Sequence, residues 1–263
     1  MRHGEARVLD GSDGAVALSV NGLTRRFGGL VAVDNISFDL PARRLNAIIG
    51  PNGAGKTTLF NLITGEIRPD AGRVKVHGQD ITGLKPHQIV RRGVSRTLQI
   101  KSVFTGLTVA ENVRAAVMAH EGLVSPFRPA SSYGAVNQRV EGLVVQVGLR
   151  KQLNTRASAL SYGDIALLEI ALALANEPKL LLLDEPVCGM GPQETEQTVE
   201  TIRTISESVD VVLIEHDMEV VFAIADEIIV MAQGALLARG TPAQISSSAE
   251  VQEAYLGAPE EAD

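Results

Sequence analysis

Aromatic residues make up only 3% of this 263-residue sequence, and tryptophan is absent. Hydrophobic residues reach 45%, so a sizeable core can form, but it has to be aliphatic. A single cysteine, Cys188, excludes an internal disulfide and fits a reducing compartment. No apolar run approaches the roughly 18 residues that a membrane-spanning helix needs. The longest candidate, Ile165 to Ala175, is short and is interrupted by Glu169. The opening residues, MRHGEARVLDGSDG, have acids and no apolar core, so no secretory signal is expected there. Lys and Arg form only short pairs at 25–26, 43–44 and 91–92, and the net charge is −7. A nucleic-acid partner is therefore not expected. An N-K-x-D guanine-reading motif is also missing, which argues against a GTPase.

Against these absences stands GPNGAGKT, Gly50 to Thr57. It fits G-x-x-x-x-G-K-[ST] and lies between a buried-strand pattern (LNAIIG, 45–50) and a helix pattern (KTTLFNLITG, 56–65). Gly50, Gly53 and Gly55 let the backbone wrap a phosphate with its N–H groups turned inward, and the helix N-terminus adds partial positive charge. Lys56 suits the β- and γ-phosphates, and the Thr57 hydroxyl suits Mg²⁺. Asn52 and Thr58 complete the loop. A magnesium nucleotide needs a second acid, and KLLLLDEP (179–186) supplies it. Four leucines run into Asp184 and Glu185, at the carboxyl end of a strand buried on both faces, where ligands sit in open α/β sheets. Asp184 is expected to hold Mg²⁺, and Glu185 to polarise an attacking water.

The rest of the chain alternates strands and helices, which implies a largely parallel α/β sheet. GRVKVHGQDIT (72–82) alternates like a strand and turns at Gly78. DVVLIEHD (210–217) reads as a buried strand, and DEIIVMAQGALLARG (226–240) as a hairpin turning near Gln233-Gly234. Between residues 100 and 160 the rhythm changes. TVAENVRAAVMAH and NQRVEGLVVQVGL have helical spacing, so a helical subdomain inserted into the α/β core is expected. The expected organisation is a disordered extension (1–16), a nucleotide-binding core (17–98 and 176–257), the helical subdomain (99–175) and a tail (258–263).

One polar turn, LSYGD (160–164), opens the apolar segment that leads into Asp184 and Glu185. With the phosphate loop upstream, this turn resembles the signature motif of the ATP-binding-cassette (ABC) ATPases, and the resemblance extends over residues 18–257. It implies a P-loop NTPase core with an antiparallel β portion and the inserted helical subdomain. It implies that Ser161 and Gly163 bind the γ-phosphate of an ATP held by a second subunit, docked head to tail. Gln99, ending RTLQ, resembles the glutamine that touches Mg²⁺ or the attacking water. His216, in LIEHD, resembles the switch histidine that reaches the γ-phosphate, and Phe27 resembles the aromatic that stacks on adenine. The implied ligands are ATP and Mg²⁺.

Within that family, RFGGLVAVDNISF (26–38), GPQETE (191–196), IEHDMEVV (214–221) and EAYLG (253–257) resemble the larger ATPase subunit of branched-chain amino acid importers. The tail also resembles the lipopolysaccharide-export ATPase. A non-transport ABC protein and a small-molecule P-loop kinase are further alternatives. Implied partners are a second ABC ATPase subunit, identical or different, integral membrane permease subunits and, indirectly, a solute-binding protein. The implied location is the cytoplasmic face of the inner membrane, held peripherally through the permease. Val103 and Phe104 are expected to be exposed for docking a permease helix. The sequence departs from the family pattern at Ile165, Ala166 and Leu172 after the signature, and at Gly191, where Asn or Asp is usual.

Overall fold

A computed structural model describes residues 15–97, 103–123 and 133–256. The chain starts with a hairpin of two long strands, β1 (Val16–Phe27) and β2 (Leu30–Pro41), followed by β3 (Leu45–Ile49) and α1 (Lys56–Ile63). Next come β4 (Ala71–Val76), β5 (Gln79–Asp80), α2 (Pro86–Val90) and β6 (Val94–Arg96). Three helices follow, α3 (Val109–His120), α4 (Gly134–Gln146) and α5 (Tyr162–Leu174). The chain then returns to the sheet as β7 (Leu180–Asp184), α6 (Pro192–Ser206), β8 (Asp210–Ile214) and α7 (Met218–Ile224). It finishes with β9 (Glu227–Ala232), β10 (Ala235–Gly240), α8 (Pro242–Ser246) and α9 (Ala249–Leu256).

Among the described residues the strands form two sheets. One is antiparallel, in the order β2-β1-β4-β5, and the other has the order β10-β9-β3-β8-β7-β6. In the second sheet β9, β3, β8, β7 and β6 run parallel, and β10 is an antiparallel edge. The expected strands over 45–50, 72–82, 179–186 and 210–217, and the hairpin over 226–240, all form. β3, β7 and β8 are buried at every residue, as parallel strands covered on both faces must be.

The two sheets are joined through backbone. The Asp34 N–H donates to the Gly234 carbonyl at 2.7 Å, so the β1–β2 hairpin is fixed to the β9–β10 turn. Residues of both sheets, with Leu59 and Phe60 of α1, share one aliphatic core. A second core joins the other face of the parallel sheet to α3, α4 and α5.

The apolar segment from Ile165 is α5, buried on most of its circumference. It packs against α3, α4, α6 and β6, which explains why it lacks the polar stripe of a surface helix. Thr108 caps α3: its Oγ1 accepts the Glu111 N–H at 3.2 Å, while a Glu111 oxygen accepts the Thr108 N–H at 2.8 Å. Phe104 is 64% exposed, but Val103 is only 8% exposed and belongs to the core. The expectation that both are exposed is therefore corrected: the chain enters α3 with Val103 turned inward.

Leu182 lies in the middle of β7 with no exposed surface. Leu182→Ala is expected to destabilise the fold by about 2–5 kcal/mol, from lost burial and the cavity left behind, measurable by urea denaturation.

Candidate functional site

Three strands deliver the candidate site. In the parallel register, Ile214 of β8 lies opposite Ile48 of β3 on one side and Asp184 of β7 on the other. The loop after β3, the acids after β7 and His216 after β8 therefore leave the same edge of the sheet.

At two of its glycines the loop after β3 leaves no space for a side chain. A Cβ on Gly50 would collide with the Met231 carbonyl oxygen of β9. Gly55 has φ +96°, and a Cβ there would collide with the Ala32 carbonyl oxygen of β2. The second contact also places the β1–β2 hairpin, with Phe27 at its tip, beside the loop. Phe27 is 45% exposed, and the Arg25 guanidinium sits 4.8 Å from its ring centroid. Asn52, Gly53 and Thr57 are exposed, and Thr58 is half-buried. Lys56 opens α1 and is nearly buried, 9% exposed. Its Nζ donates to the carbonyls of Gly50 at 2.6 Å and Pro51 at 3.2 Å. Burial holds its pKa below the ordinary lysine value, and the carboxylates of Glu185 and Asp184 oppose that shift. The lysine and the two acids thus share one electrostatic environment.

The Asp184 side chain has no exposed surface, and its Oδ2 accepts from Arg96 Nη2 at 2.5 Å. Arg96 also donates to Asn61 of α1 at 2.6 Å and lies 5.5 Å from the Phe60 ring centroid. Asp184 Oδ1 is buried without a hydrogen-bond partner. A buried carboxylate oxygen left free at a strand end, near enough to Lys56 to act on its charge, fits the oxygen ligands that Mg²⁺ takes. Arg96 escaped the sequence reading; its only signal was its place just before Thr97 in RTLQ. The Thr97 N–H donates to the Leu182 carbonyl, and its hydroxyl accepts the Asp184 N–H at 3.3 Å. The chain thus leaves the sheet beside Asp184, and Gln99 lies outside the described residues.

Glu185 adopts φ +51°, and its N–H donates to the Ile214 carbonyl at 2.9 Å. A left-handed conformation at a non-glycine residue costs about 1–3 kcal/mol and persists only where its surroundings fix it. The next residues line a cleft of about 380 Å³ bounded by Asp184, Glu185, Cys188, Tyr162 and Ile165. Cys188 is exposed. The His216 side chain is 60% exposed, whereas that of Glu215 before it is fully buried.

The signature turn caps α5. Ser161 Oγ accepts the Asp164 N–H at 3.2 Å. Gly163 is buried, and a Cβ there would sit 3.0 Å from the Glu194 Cβ. The Ser161 hydroxyl, with the N–H groups of Gly191 and Gly163, holds the Glu194 carboxyl below its usual range. Gly191, the departure from the family pattern, donates its N–H to Glu194 Oε2 at 3.3 Å. Ile165 and Leu172 pack against the core, and Ala166 is half-buried.

Arg96 and Asp184 form a buried pair, so removing one partner strands the other. Arg96→Leu is expected to cost about 3–5 kcal/mol of stability, read as a lowered urea midpoint. Removing both charges together, with Arg96→Leu and Asp184→Asn, is expected to recover part of it.

Residues 33–188 match the ABC transporter family, and residues 235–261 match the branched-chain amino acid ATP-binding cassette transporter family. The high-affinity branched-chain amino acid transport ATP-binding protein LivG of Escherichia coli (strain K12) is 42% identical over 250 residues, covering 91% of this chain and 97% of LivG. BraF of Pseudomonas aeruginosa, a protein of the same description, is 40% identical over 248 residues, covering 91% of this chain and 97% of BraF. Among solved structures, a nucleotide-free ATP-binding cassette from an ABC transporter superposes with a TM-score of 0.83 at 27% identity, covering 92% of this chain and 100% of the other. The ADP conformation of MJ1267, an ATP-binding cassette of an ABC transporter, gives 0.80 at 28% identity, covering 92% and 99%. With its phosphate loop, paired acids and signature turn on this fold, the chain belongs to the ABC transporter family as an ATP-hydrolysing subunit.

Proposed function

We propose that this subunit powers an importer of branched-chain amino acids or related small polar solutes, through a head-to-tail dimer with ATP sandwiched between two subunits. The observation that carries the ATPase half is the shared environment of Lys56, Asp184 and Glu185 at one sheet edge. The import half is supported by the family match over residues 235–261 and by the relatives' transport of branched-chain amino acids. The same findings favour it over a lipopolysaccharide exporter, a non-transport cassette or a small-molecule kinase.

In this reading Phe27 stacks on adenine. The N–H groups of the loop from Gly50 through Asn52, Gly53 and Gly55, continuing into Thr57 and Thr58, hold the phosphates, and Lys56 neutralises the β and γ groups. Thr57, Asp184 and Gln99 would hold Mg²⁺; one oxygen of Asp184 is left without a hydrogen-bond partner. When bound, Mg²⁺ supplies neutralisation of the phosphate oxygens. Glu185 accepts the proton of the attacking water, Gln99 helps place that water, and His216 donates to the γ-phosphate. Ser161 and Gly163 meet the γ-phosphate of ATP held by the other subunit. The contacts made through the γ-phosphate favour the closed pair, and hydrolysis removes them.

Coupling to the membrane is assigned to the helices and the segment leading into α3. There Phe104 and Leu107 are exposed, and Asn112 fixes the loop. Its Oδ1 accepts the Phe104 N–H at 2.8 Å, and its Nδ2 donates to the Phe104 and Thr108 carbonyls at 3.1 and 2.9 Å. A fixed apolar projection suits a short helix of an integral membrane permease subunit. Among the described residues no helix is long and apolar enough to cross a membrane. The proposed location, which rests on the likeness to transporter ATP-binding subunits, is peripheral, at the cytoplasmic face of the inner membrane, through the permease. A solute-binding protein acts indirectly. Nucleic acid has no part in this reading.

Light scattering of Glu185→Gln with and without ATP tests it. An ATP-dependent dimer is expected, abolished when Ser161→Arg is added. A wild-type monomer that transfers phosphate to a small molecule would sink the transporter reading.

A further inference from the structure

Glu215 follows β8 and precedes His216. Its side chain has no exposed surface. Oε1 accepts the Val187 N–H at 3.0 Å, and Oε2 accepts the His216 N–H at 3.1 Å and lies 3.8 Å from His216 Nδ1. Val187 stands two residues after Glu185, in the turn that leaves β7. A single buried carboxylate thus ties the chain after β7 to the chain after β8, just beyond the row where Asp184 and Ile214 pair.

A buried carboxylate is an expensive way to fill a core position, so its partners must account for it. Burial pushes the Glu215 carboxyl above its usual range, and the N–H groups of Val187, His216 and Asp217 oppose that rise. An apolar residue would leave the Val187 and His216 amides without an acceptor. Glutamine would keep the shape but supply one acceptor oxygen where two are used, turning its NH₂ against the second N–H. Only the anion serves both backbone segments at once.

We propose that Glu215 is a positioning residue for ATP hydrolysis: its carboxylate clamps the turn after Glu185 to the turn carrying His216, fixing the two side chains relative to each other. Glu185 also takes its left-handed conformation between two anchors, its own N–H on the Ile214 carbonyl and the Val187 N–H on Glu215. The proposal rests on the reading that Glu185 and His216 serve hydrolysis, and it adds the residue that sets their separation.

The test uses the full-length chain as wild type, Glu215→Gln, His216→Ala and the double variant. Glu215→Gln is expected to lower kcat about tenfold or more while KM for ATP moves less than about threefold. In the His216→Ala background the same substitution is expected to cost clearly less, because the clamp acts partly through His216. Retained kcat with only a lowered Tm would make Glu215 a stability residue and overturn the proposal, as would losses that multiply in the double variant. A wild-type chain without ATP turnover would instead count against hydrolysis by Glu185 and His216. Amide hydrogen exchange of the wild type gives a readout independent of turnover and of any variant's folding. The Val187 and His216 amides are expected to be slow and to open together; exchange of either at exposed-loop rates would overturn the clamp.

Discussion

The site depends on one row of the parallel sheet. Ile48, Ile214 and Asp184 lie side by side across β3, β8 and β7. Within two residues beyond this row the three strands lead into Gly50 of the phosphate loop, His216 and Glu185. Each strand is short and buried throughout, so its register is set by packing on both faces. A slip of one residue would turn every side chain of that strand to the opposite face. The chemistry is therefore placed by aliphatic side chains that never touch it.

Charge at this edge is balanced in pairs. Arg96 covers one oxygen of Asp184 and leaves the other free, so the acid is partly neutralised before any cation arrives. Lys56 is desolvated, yet its ammonium is supported by two loop carbonyls and two carboxylates. In an enclosed site such charges act more strongly than they would in water. Glu215 repeats the theme with backbone amides as partners in place of a cation.

Much of this was legible in the sequence because the signals were local. The loop Gly50 to Thr57 announces itself by glycine spacing, and Asp184 and Glu185 by the four leucines before them. The hairpin at Gln233-Gly234 shows in its turn residues. What was not legible depends on distant contacts. β6 has three residues, too few to show a period, and becomes a strand only by pairing with β7. Arg96 reads as an ordinary surface charge until the fold sets it against an acid 88 positions away. Val103 looks like its neighbour Phe104 until the fold buries it in the core. Glu215 reads as a polar residue at a strand end, and its burial follows from a turn 28 residues earlier that folds onto it.

The turn that receives this clamp also carries Cys188, the molecule's only sulfhydryl, exposed at the cleft beside Glu185. A maleimide dye or nitroxide would therefore attach at a single place without any residue being replaced. That place lies three positions from Glu185, the acid proposed to handle the water. The native chain thus comes with its own spectroscopic handle on the turn that follows Glu185.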